Sequence, residues 1–209
     1  MTFSNRATRL ILARHGRTRY NAEGRVQGGG VLDELGRVQV KALALRLADE
    51  PVAVIYASPL TRTLQTARMV AGPHDLPVRR RGLLRDINYG VYSGMLFSEA
   101  RKQDPDLWER WRTAPQTVRF SEGEGLADLR WRMERFLEEA GEWWGRTVVV
   151  VTHDSPIRAI ASIASGVDDS RHNEMVVKVA SITEVEITPD GLRLLAHGDT
   201  SHLAGINGE

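Results

Sequence analysis

Three short apolar runs punctuate the chain and predict buried β-strands. They lie at residues 9–13 (RLILA), 52–56 (VAVIY) and 148–151 (VVVV). Runs without alternating polar positions are typical of strands that are covered on both faces. Segments with helical spacing of apolar residues follow them, so strands and helices alternate along the chain. This pattern predicts an α/β fold, a three-layer sandwich whose mostly parallel central sheet is flanked by helices.

The helices have recognisable start and stop signals. We predict helices at residues 33–48, 60–71, 126–144 and 155–165. Asp33 is a suitable N-cap for the first. Ser58 is expected to cap the second, with Pro59 at its first position, and Gly72-Pro73 to end it.

Two regions depart from the alternation of strands and helices. Residues 97–114 combine charged residues, Trp108, Trp111 and an internal Pro105, which predicts a broken helical excursion; we expect 97–125 to form a small lid over the site. Near the end of the chain, alternating runs at 179–187 and 192–196 flank a turn sequence and predict a hairpin. Residues 1–209 are expected to form a single domain.

Composition excludes several classes of protein. The 209 residues contain no cysteine, which removes disulfides, thiolate metal sites and cysteine nucleophiles. The formal net charge is +1 and the arginines are dispersed, which argues against a nucleic-acid-binding face; the densest basic spot, 79–81, is expected at a strand edge or turn. No segment approaches the roughly 20 apolar residues of a membrane span, and no export signal is visible. We therefore expect a cytoplasmic protein.

Residues suited to phosphate chemistry follow the predicted strands. Arg14-His15-Gly16 follows the first, Arg62 begins the helix after the second, and His153 and Arg158 follow the third. Because parallel strands end at one edge of a sheet, two imidazoles and at least two guanidiniums should converge there. A cluster of cations is costly without an anion, and guanidinium forks suit phosphate oxygens. Gly16 would let the backbone approach that anion closely.

The same residues suggest a reaction. A neutral imidazole can attack phosphorus and form a covalent intermediate that water then hydrolyses. The leaving alkoxide needs a proton, for which a carboxylic acid is a natural donor. Asp86 and Asp154 are the two candidates, and they could also share the task.

Several segments resemble one known family. RHGRTRYN at 14–21 is similar to the signature RHGxTxxN of the histidine phosphatase superfamily, also called phosphoglycerate mutase-like. Further matches follow in the family's order: GRVQG at 24–28, SPLTRTLQTA at 58–67, LLRDINYGVYSG at 83–94 and VVVTHDSPIRA at 149–159. The ending DTSHL at 199–203 resembles actinobacterial-type members. The resemblance covers nearly the whole chain and implies the phosphoglycerate mutase-like fold, with no metal and no organic cofactor.

The resemblance also implies roles for individual residues. His15 is the implied nucleophile, and the implied phosphate-binding residues are Arg14, Arg62, His153 and the side-chain amide of Asn21. Asp86 stands where the family usually has a glutamate. Asp154 is similar to the proton donor of the acid phosphatase branch. The segment 27–36 is shorter than the family's loop beside the substrate pocket, and it begins with Gln27 and Gly28, our candidates for substrate contact.

Three functions follow from these residues. The first is hydrolysis of a small phosphomonoester, the second is mutase-type phosphoryl transfer, and the third is phosphate binding without catalysis. Tyr89, Tyr92, Trp108 and Trp111 could line the substrate pocket or fill the core. Ser201 and His202 could approach the site or cap the structure near the end of the chain. A homodimer along a sheet edge or a covering helix is compatible with the sequence.

Overall fold

The computed structural model of the protein describes residues 7–26 and 29–206. Within them lie six strands: β1 (Thr8–Arg14), β2 (Val52–Ala57), β3 (Val78–Arg80), β4 (Thr147–Thr152), β5 (Ile182–Thr188) and β6 (Gly191–Asp199). The α-helices are α1 (Arg19–Ala22), α2 (Glu34–Leu47), α3 (Thr61–Ala71), α4 (Phe97–Gln103), α5 (Pro105–Thr113), α6 (Leu126–Ala140) and α7 (Asp154–Ser165). Short 3-10 turns include Gly82–Leu84, Asp169–Glu174 and Ser201–Leu203.

The strands form one mixed sheet in the order β3-β2-β4-β1-β5-β6. The first four are parallel, and β5 and β6 add an antiparallel hairpin. Arg14 at the end of β1 pairs with Thr152 at the end of β4, and Ala57 at the end of β2 pairs with Val151. This register brings the chain segments that follow the three central strands to one edge of the sheet.

Helices cover both faces of the sheet. Alternate residues of β1 enter different cores: Leu10 and Leu12 pack on the side of α6 and α7, whereas Ile11 and Ala13 pack on the side of α2 and α3. Every residue of β4 is buried, because the strand is central and both of its faces are covered. The predicted three-layer α/β architecture is therefore confirmed.

Some predicted boundaries shift. Helix α3 begins at Thr61, and Ser58 does not cap it, since its Leu60 N-cap has no side-chain hydrogen bond. Helix α6 ends at Ala140 and is followed by a 3-10 turn, so the prediction that it continues to residue 144 was wrong. Strand β5 begins at residue 182, three residues later than predicted. The basic triplet lies at edge strand β3 and the turn after it, as expected.

Helices α4 and α5 form the excursion outside the sheet. Asp104 ends α4 and caps α5 by accepting a hydrogen bond from the Leu107 amide, and Pro105 occupies the first turn of α5. The tryptophans of α5 pack into an aromatic cluster; the ring centroids of Trp111 and Phe120 are 5.0 Å apart, and those of Tyr89 and Phe120 are 4.8 Å apart. In the described ranges we find no helix with the length and apolar character needed to cross a membrane.

Candidate active site

Two histidines and one arginine meet at the edge where β1, β2 and β4 end. His15 follows β1, His153 follows β4, and Arg62 lies in the first turn of α3. Arg62 Nε donates to His15 Nε2 at 3.0 Å, and its Nη2 lies 3.0 Å from His153 Nδ1. All three residues are buried, with at most 3% of their surface exposed. We call this group the phosphate end of the site.

The hydrogen-bond partners fix the tautomers of both imidazoles. His15 Nδ1 lies 2.7 Å from the carbonyl oxygen of Gly16, which can only accept, so Nδ1 carries the proton and Nε2 keeps its lone pair. Arg62 can only donate, so His153 Nδ1 is the acceptor and its Nε2 donates to the Ser58 hydroxyl at 2.8 Å. His15 Nε2, the unprotonated nitrogen, therefore points its lone pair at the Arg62 guanidinium.

Both imidazoles are neutral in this environment. Burial, then the charges of Arg62 and Arg14, lower the pKa of His15 well below its usual 6.5. Burial is also the main cause that lowers the pKa of His153, followed by the charge of Arg62. A neutral imidazole is the form that can act as a nucleophile.

Arg14 lies beside the phosphate end and is only partly engaged by protein groups. Its Nη1 donates to the carbonyl of Val177 at 2.5 Å and is 3.8 Å from Asp154 Oδ2. Its Nε is buried and has no hydrogen-bond partner among the described residues. A buried donor of this kind is suited to an added acceptor such as a phosphate oxygen.

Gly16 has a packing role that the sequence did not suggest. A Cβ at this position would lie 2.5 Å from Val40 Cγ2 and 2.7 Å from the carbonyl oxygen of Gly36, so the turn after β1 can pack against α2 only with glycine here. Its amide donates to the Thr66 hydroxyl at 3.3 Å. This contact accounts for the glycine without any bound anion.

Asp86 lies next to the phosphate end in a largely buried position. Its Oδ2 is 3.7 Å from Arg62 Nη2, its Oδ1 accepts from the Ile87 amide at 3.1 Å, and its side chain is 12% exposed. Burial raises the pKa of Asp86 to about 6, with the charge of Arg62 acting in the opposite direction. The carboxyl group is thus poised to change its protonation state close to neutral pH.

Arg132 fastens the segment that carries Asp86. It donates to the backbone carbonyls of Leu83, Arg85 and Asp86, and its Nη2 forms an ion pair with Glu124 at 2.8 Å. No sequence motif pointed to Arg132, because the backbone carbonyls that it holds lie more than forty positions away along the chain.

Asp154 is engaged mainly by Arg158, one turn further along α7. Arg158 Nη2 donates to Asp154 Oδ2 at 3.0 Å, and its Nε contacts Oδ1. Arg158 also donates to Asn173 Oδ1 at 3.2 Å. The guanidinium of Arg158 therefore serves the Asp154 carboxylate, and the two guanidiniums nearest the histidines are those of Arg62 and Arg14. The spacing of four helical residues already indicated this pair.

Two other predicted contacts have different outcomes. The Asn21 side-chain oxygen accepts from the Thr18 amide at 3.0 Å and from the Thr18 hydroxyl at 2.9 Å, as part of the cap of α1. Donation from its amide nitrogen to an anion stays a prediction. Gln27 and Gly28 lie outside the described residues.

Sequence reasoning missed two groups that hold the histidines. Ser58 accepts from His153, although its sequence context suggested a helix cap. Ala180 has a positive φ of 56°, donates its amide to the His15 carbonyl at 3.1 Å, and its own carbonyl is 3.0 Å from His202 Nε2. His202 thus contacts the turn behind His15.

Comparison with known proteins now decides the family. The family model described as the histidine phosphatase superfamily (branch 1) matches residues 10–200. The chain belongs to this superfamily. This histidine phosphatase is 41% identical over 166 residues to phosphoserine phosphatase 1 of Hydrogenobacter thermophilus. The aligned region covers 78% of this chain and 79% of that protein.

Solved structures agree with this assignment. The chain is similar to YhfR of Bacillus stearothermophilus, with a TM-score of 0.89 and 30% identity over 94% of this chain and 100% of that one. A mycobacterial glucosyl-3-phosphoglycerate phosphatase has a TM-score of 0.84 and 27% identity, over 93% of this chain and 100% of that one. The predicted family and fold are therefore confirmed, and the chain is an enzyme that hydrolyses small phosphorylated compounds.

Proposed function

We propose that the enzyme hydrolyses a small phosphomonoester through a phosphohistidine on His15. The observation that carries this proposal is the buried His15 imidazole, whose unprotonated Nε2 faces the Arg62 guanidinium at 3.0 Å. A phosphate group entering here would take over the Arg62 donors and the unpartnered Arg14 Nε, which brings its phosphorus to Nε2. His153 Nδ1 accepts from Arg62 in this structure, so His153 would donate to the same group once that nitrogen carries a proton.

The reaction then has two balanced steps. In the first, His15 Nε2 forms a bond to phosphorus while the bond to the ester oxygen breaks, and the departing oxygen takes a proton from a carboxylic acid. In the second, the resulting carboxylate removes a proton from water, the water oxygen bonds to phosphorus, and the bond to Nε2 breaks. Inorganic phosphate leaves and His15 returns to its neutral form.

Asp86 is the acid that we favour. Its raised pKa, to about 6, leaves part of the population protonated at neutral pH, and its carboxyl lies beside Arg62. Asp154 is less suited, because Arg158 donates to both of its oxygens and holds them in an ion pair. Asp86 is one methylene shorter than the glutamate usual in the family, so the ester oxygen must come closer to the segment that carries it.

Hydrolysis is favoured over the two alternatives by the relatives. The proteins with which this chain shares 41% and 27% identity are named phosphatases. The intact set of His15, Arg62 and His153 supports catalysis over phosphate binding alone. O-phosphoserine is a natural first substrate to try, since the relative from Hydrogenobacter is named for it.

The remaining parts of the proposal concern the enzyme's setting. We propose a cytoplasmic enzyme that acts without a metal, because arginine side chains supply the positive charge that phosphoryl transfer needs. The segment 97–125 is proposed to act as a lid within a single domain that spans residues 1–209. The exposed edges of the sheet are compatible with a homodimer. We propose neither nucleic acids nor membranes as partners.

The decisive experiment compares the wild type with His15→Ala. Phosphate release from a panel of monophosphates, including O-phosphoserine and p-nitrophenyl phosphate, should fall by ~10³-fold or more in the variant. Wild-type enzyme quenched during turnover of a 32P-labelled substrate should carry an acid-labile phosphoryl group that the variant lacks. EDTA should leave the wild-type rate unchanged. Turnover by His15→Ala within a few-fold of wild type, with the fold verified by circular dichroism, would contradict the nucleophile assignment.

A further inference from the structure

Asp86 lies between two 3-10 turns, and we call residues 83–88 the acid segment. The turns are Gly82–Leu84 and Gly90–Tyr92, and residues 85–89 belong to no helix or strand. Backbone carbonyls in such a stretch have no regular partners, so other groups must satisfy them. The position of the Asp86 carboxyl group therefore depends on contacts from elsewhere in the chain.

Arg132 of α6 supplies most of these contacts. A guanidinium has five N–H donors, and here each of them has a partner. Two of them, on Nε and Nη2, donate to the two carboxylate oxygens of Glu124, both at 2.8 Å. The other three reach backbone carbonyls of the acid segment, those of Leu83, Arg85 and Asp86. One side chain thus fixes three carbonyls around the candidate acid, and we call Arg132 and Glu124 the clamp.

Two further contacts complete the hold on the acid segment. Glu124 Oε2 accepts from the Asn88 amide at 2.9 Å, and the Glu124 amide donates to the Asn88 carbonyl at 2.8 Å. The hydroxyl of Thr152, the last residue of β4, donates to the Leu84 carbonyl at 2.7 Å. The acid segment is therefore tied to α6 and to the strand that precedes His153.

The clamp stands beside open space. A cavity of about 380 Å³ is lined by Asp86 together with Glu124 and Arg132. The Asp86 side chain is nevertheless only 12% exposed, and its Oδ2 stays 3.7 Å from Arg62 Nη2. Movement of the acid segment toward this cavity would bring water to the carboxyl group and draw it away from Arg62.

An aspartate depends on its backbone more than a glutamate does. It has two side-chain torsions where glutamate has three, so fewer rotamers are available to compensate for a displaced main chain. A misplacement of about 1 Å at a reacting group can cost on the order of 10²-fold in rate. Because this chain carries the shorter acid at residue 86, its reach to the ester oxygen is set by the contacts that hold the acid segment.

From these observations we propose that Arg132, held by Glu124, is a positioning residue that keeps Asp86 in place to protonate the leaving oxygen. It acts through the backbone of the acid segment, because all five of its donors are used there and on Glu124. The inference rests on the proposed function, with Asp86 as its acid, and it names the group that makes a short acid effective.

Charged groups from several elements surround the Asp86 carboxyl. Burial has the largest effect and raises its pKa to about 6; the charges of Arg62 in α3 and Arg14 in β1 lower it, and that of Asp154 in α7 raises it. The other ionisable groups near it are Tyr89 and three residues of the cavity lining, Arg85, Glu124 and Arg132. If the acid segment loosens, water reaches the carboxyl and the effect of burial diminishes, so the pKa should fall toward the ordinary 3.8.

Arg132→Met tests the role on two kinds of substrate. Methionine keeps an unbranched apolar stem and removes all five donors. The kcat on an alkyl phosphate such as O-phosphoserine should fall roughly 10- to 100-fold. The kcat on p-nitrophenyl phosphate should change by less than about threefold, because that leaving group departs without protonation. The decline of kcat/KM with rising pH should begin at a lower pH than in the wild type.

A double-mutant cycle shows whether Arg132 acts through Asp86. In the Asp86→Asn background, Arg132→Met should cause no further loss of kcat on the alkyl phosphate, because no acid is left to position. Arg130→Met is the matched control, since this arginine of the same helix pairs with Asp169 instead of the acid segment and should leave kcat on both substrates unchanged. Glu124→Gln, which keeps one acceptor oxygen, should give a smaller loss with the same substrate pattern, and it serves as the test if Arg132→Met does not fold.

The failure of this inference is distinguishable from failure of the proposed function. Equal losses on both substrates, or a full additional loss from Arg132→Met in the Asp86→Asn background, would overturn the positioning role. Hydrolysis of p-nitrophenyl phosphate that depends on His15 monitors the phosphatase reaction without any acid. If that hydrolysis persists while the clamp variants keep wild-type kcat on the alkyl phosphate, only the positioning role is wrong. If the wild type hydrolyses no phosphomonoester, the proposed function and the positioning role fall together.

Discussion

The phosphate end and the side cavity are built from different parts of the fold. The phosphate end follows three neighbouring strands, its three central side chains are nearly inaccessible, and they bond to one another. A cavity of about 240 Å³, which we call the side cavity, lies between α5 and the start of α7, and its lining includes Trp108, Asp154 and Arg158. Side chains fixed at the ends of central strands suit a reaction that is the same for every substrate, whereas a cavity lined mainly by helices suits recognition of the part that differs between substrates.

Asp86→Asn should give the largest effect among the variants that test this division. Asparagine keeps the shape of the side chain but cannot deliver the proton, so kcat on an alkyl phosphate should fall by roughly 10²- to 10⁴-fold. The loss on p-nitrophenyl phosphate should be much smaller, because that leaving group departs without protonation. Steady-state kinetics on both substrates give the comparison.

The raised pKa of Asp86 adds a signature in the pH profile. The protonated acid is needed in the first step, so wild-type kcat/KM on an alkyl phosphate should decline as the pH rises through about 6. This decline should be absent in Asp86→Asn, whereas Asp86→Glu, which restores the family's usual acid, should keep it. An asparagine variant with wild-type rates on the alkyl phosphate would remove Asp86 from the mechanism.

Asp154→Asn should have an intermediate effect, because this residue belongs to both regions. Loss of its charge releases Arg158 from its ion pair and leaves the lining more positive. We expect kcat on alkyl phosphates to fall by less than about tenfold, and KM for a bisphosphate to fall as repulsion disappears. A loss comparable to that of Asp86→Asn, and confined to poor leaving groups, would instead assign the acid role to Asp154.

The two regions also differ in how far the sequence predicts them. His15 and His153 could be predicted because each directly follows a buried strand, and buried strands have a strong local sequence pattern. Parallel pairing of these strands then brings the two histidines to the same edge of the sheet. Ser58 was assigned to a helix cap from its neighbour Pro59, whereas its partner His153 lies 95 positions away. Trp108 could be predicted either to fill the core or to line a pocket. Its side chain does both, since it packs against Phe120 and also lines the side cavity. Long-range pairing of this kind leaves no local pattern.

His202 provides the smallest and most specific test, because it acts on the phosphate end from behind. His202 lies just beyond the matched family region, which ends at residue 200. Its Nε2 is 3.0 Å from the carbonyl of Ala180, whose amide holds the His15 carbonyl while its φ is 56°. Loss of this hydrogen bond should let the turn relax, and His202→Ala should lower kcat roughly three- to tenfold on every substrate, on the order of 1 kcal/mol.

Rescue separates positioning from simple packing at this position. His202→Gln retains an N–H donor and should recover most of the kcat. Adding Ala180→Gly to His202→Ala should recover part of it, because glycine adopts a positive φ without strain and no longer needs the carbonyl to be held. Ser201→Ala, on the exposed neighbouring residue, is the control and should leave kcat unchanged. The alternative outcome is that neither substitution restores kcat and that the midpoint of thermal unfolding falls together with kcat in His202→Ala. In that case His202 only stabilises the fold, and the alignment of His15 depends on the sheet alone.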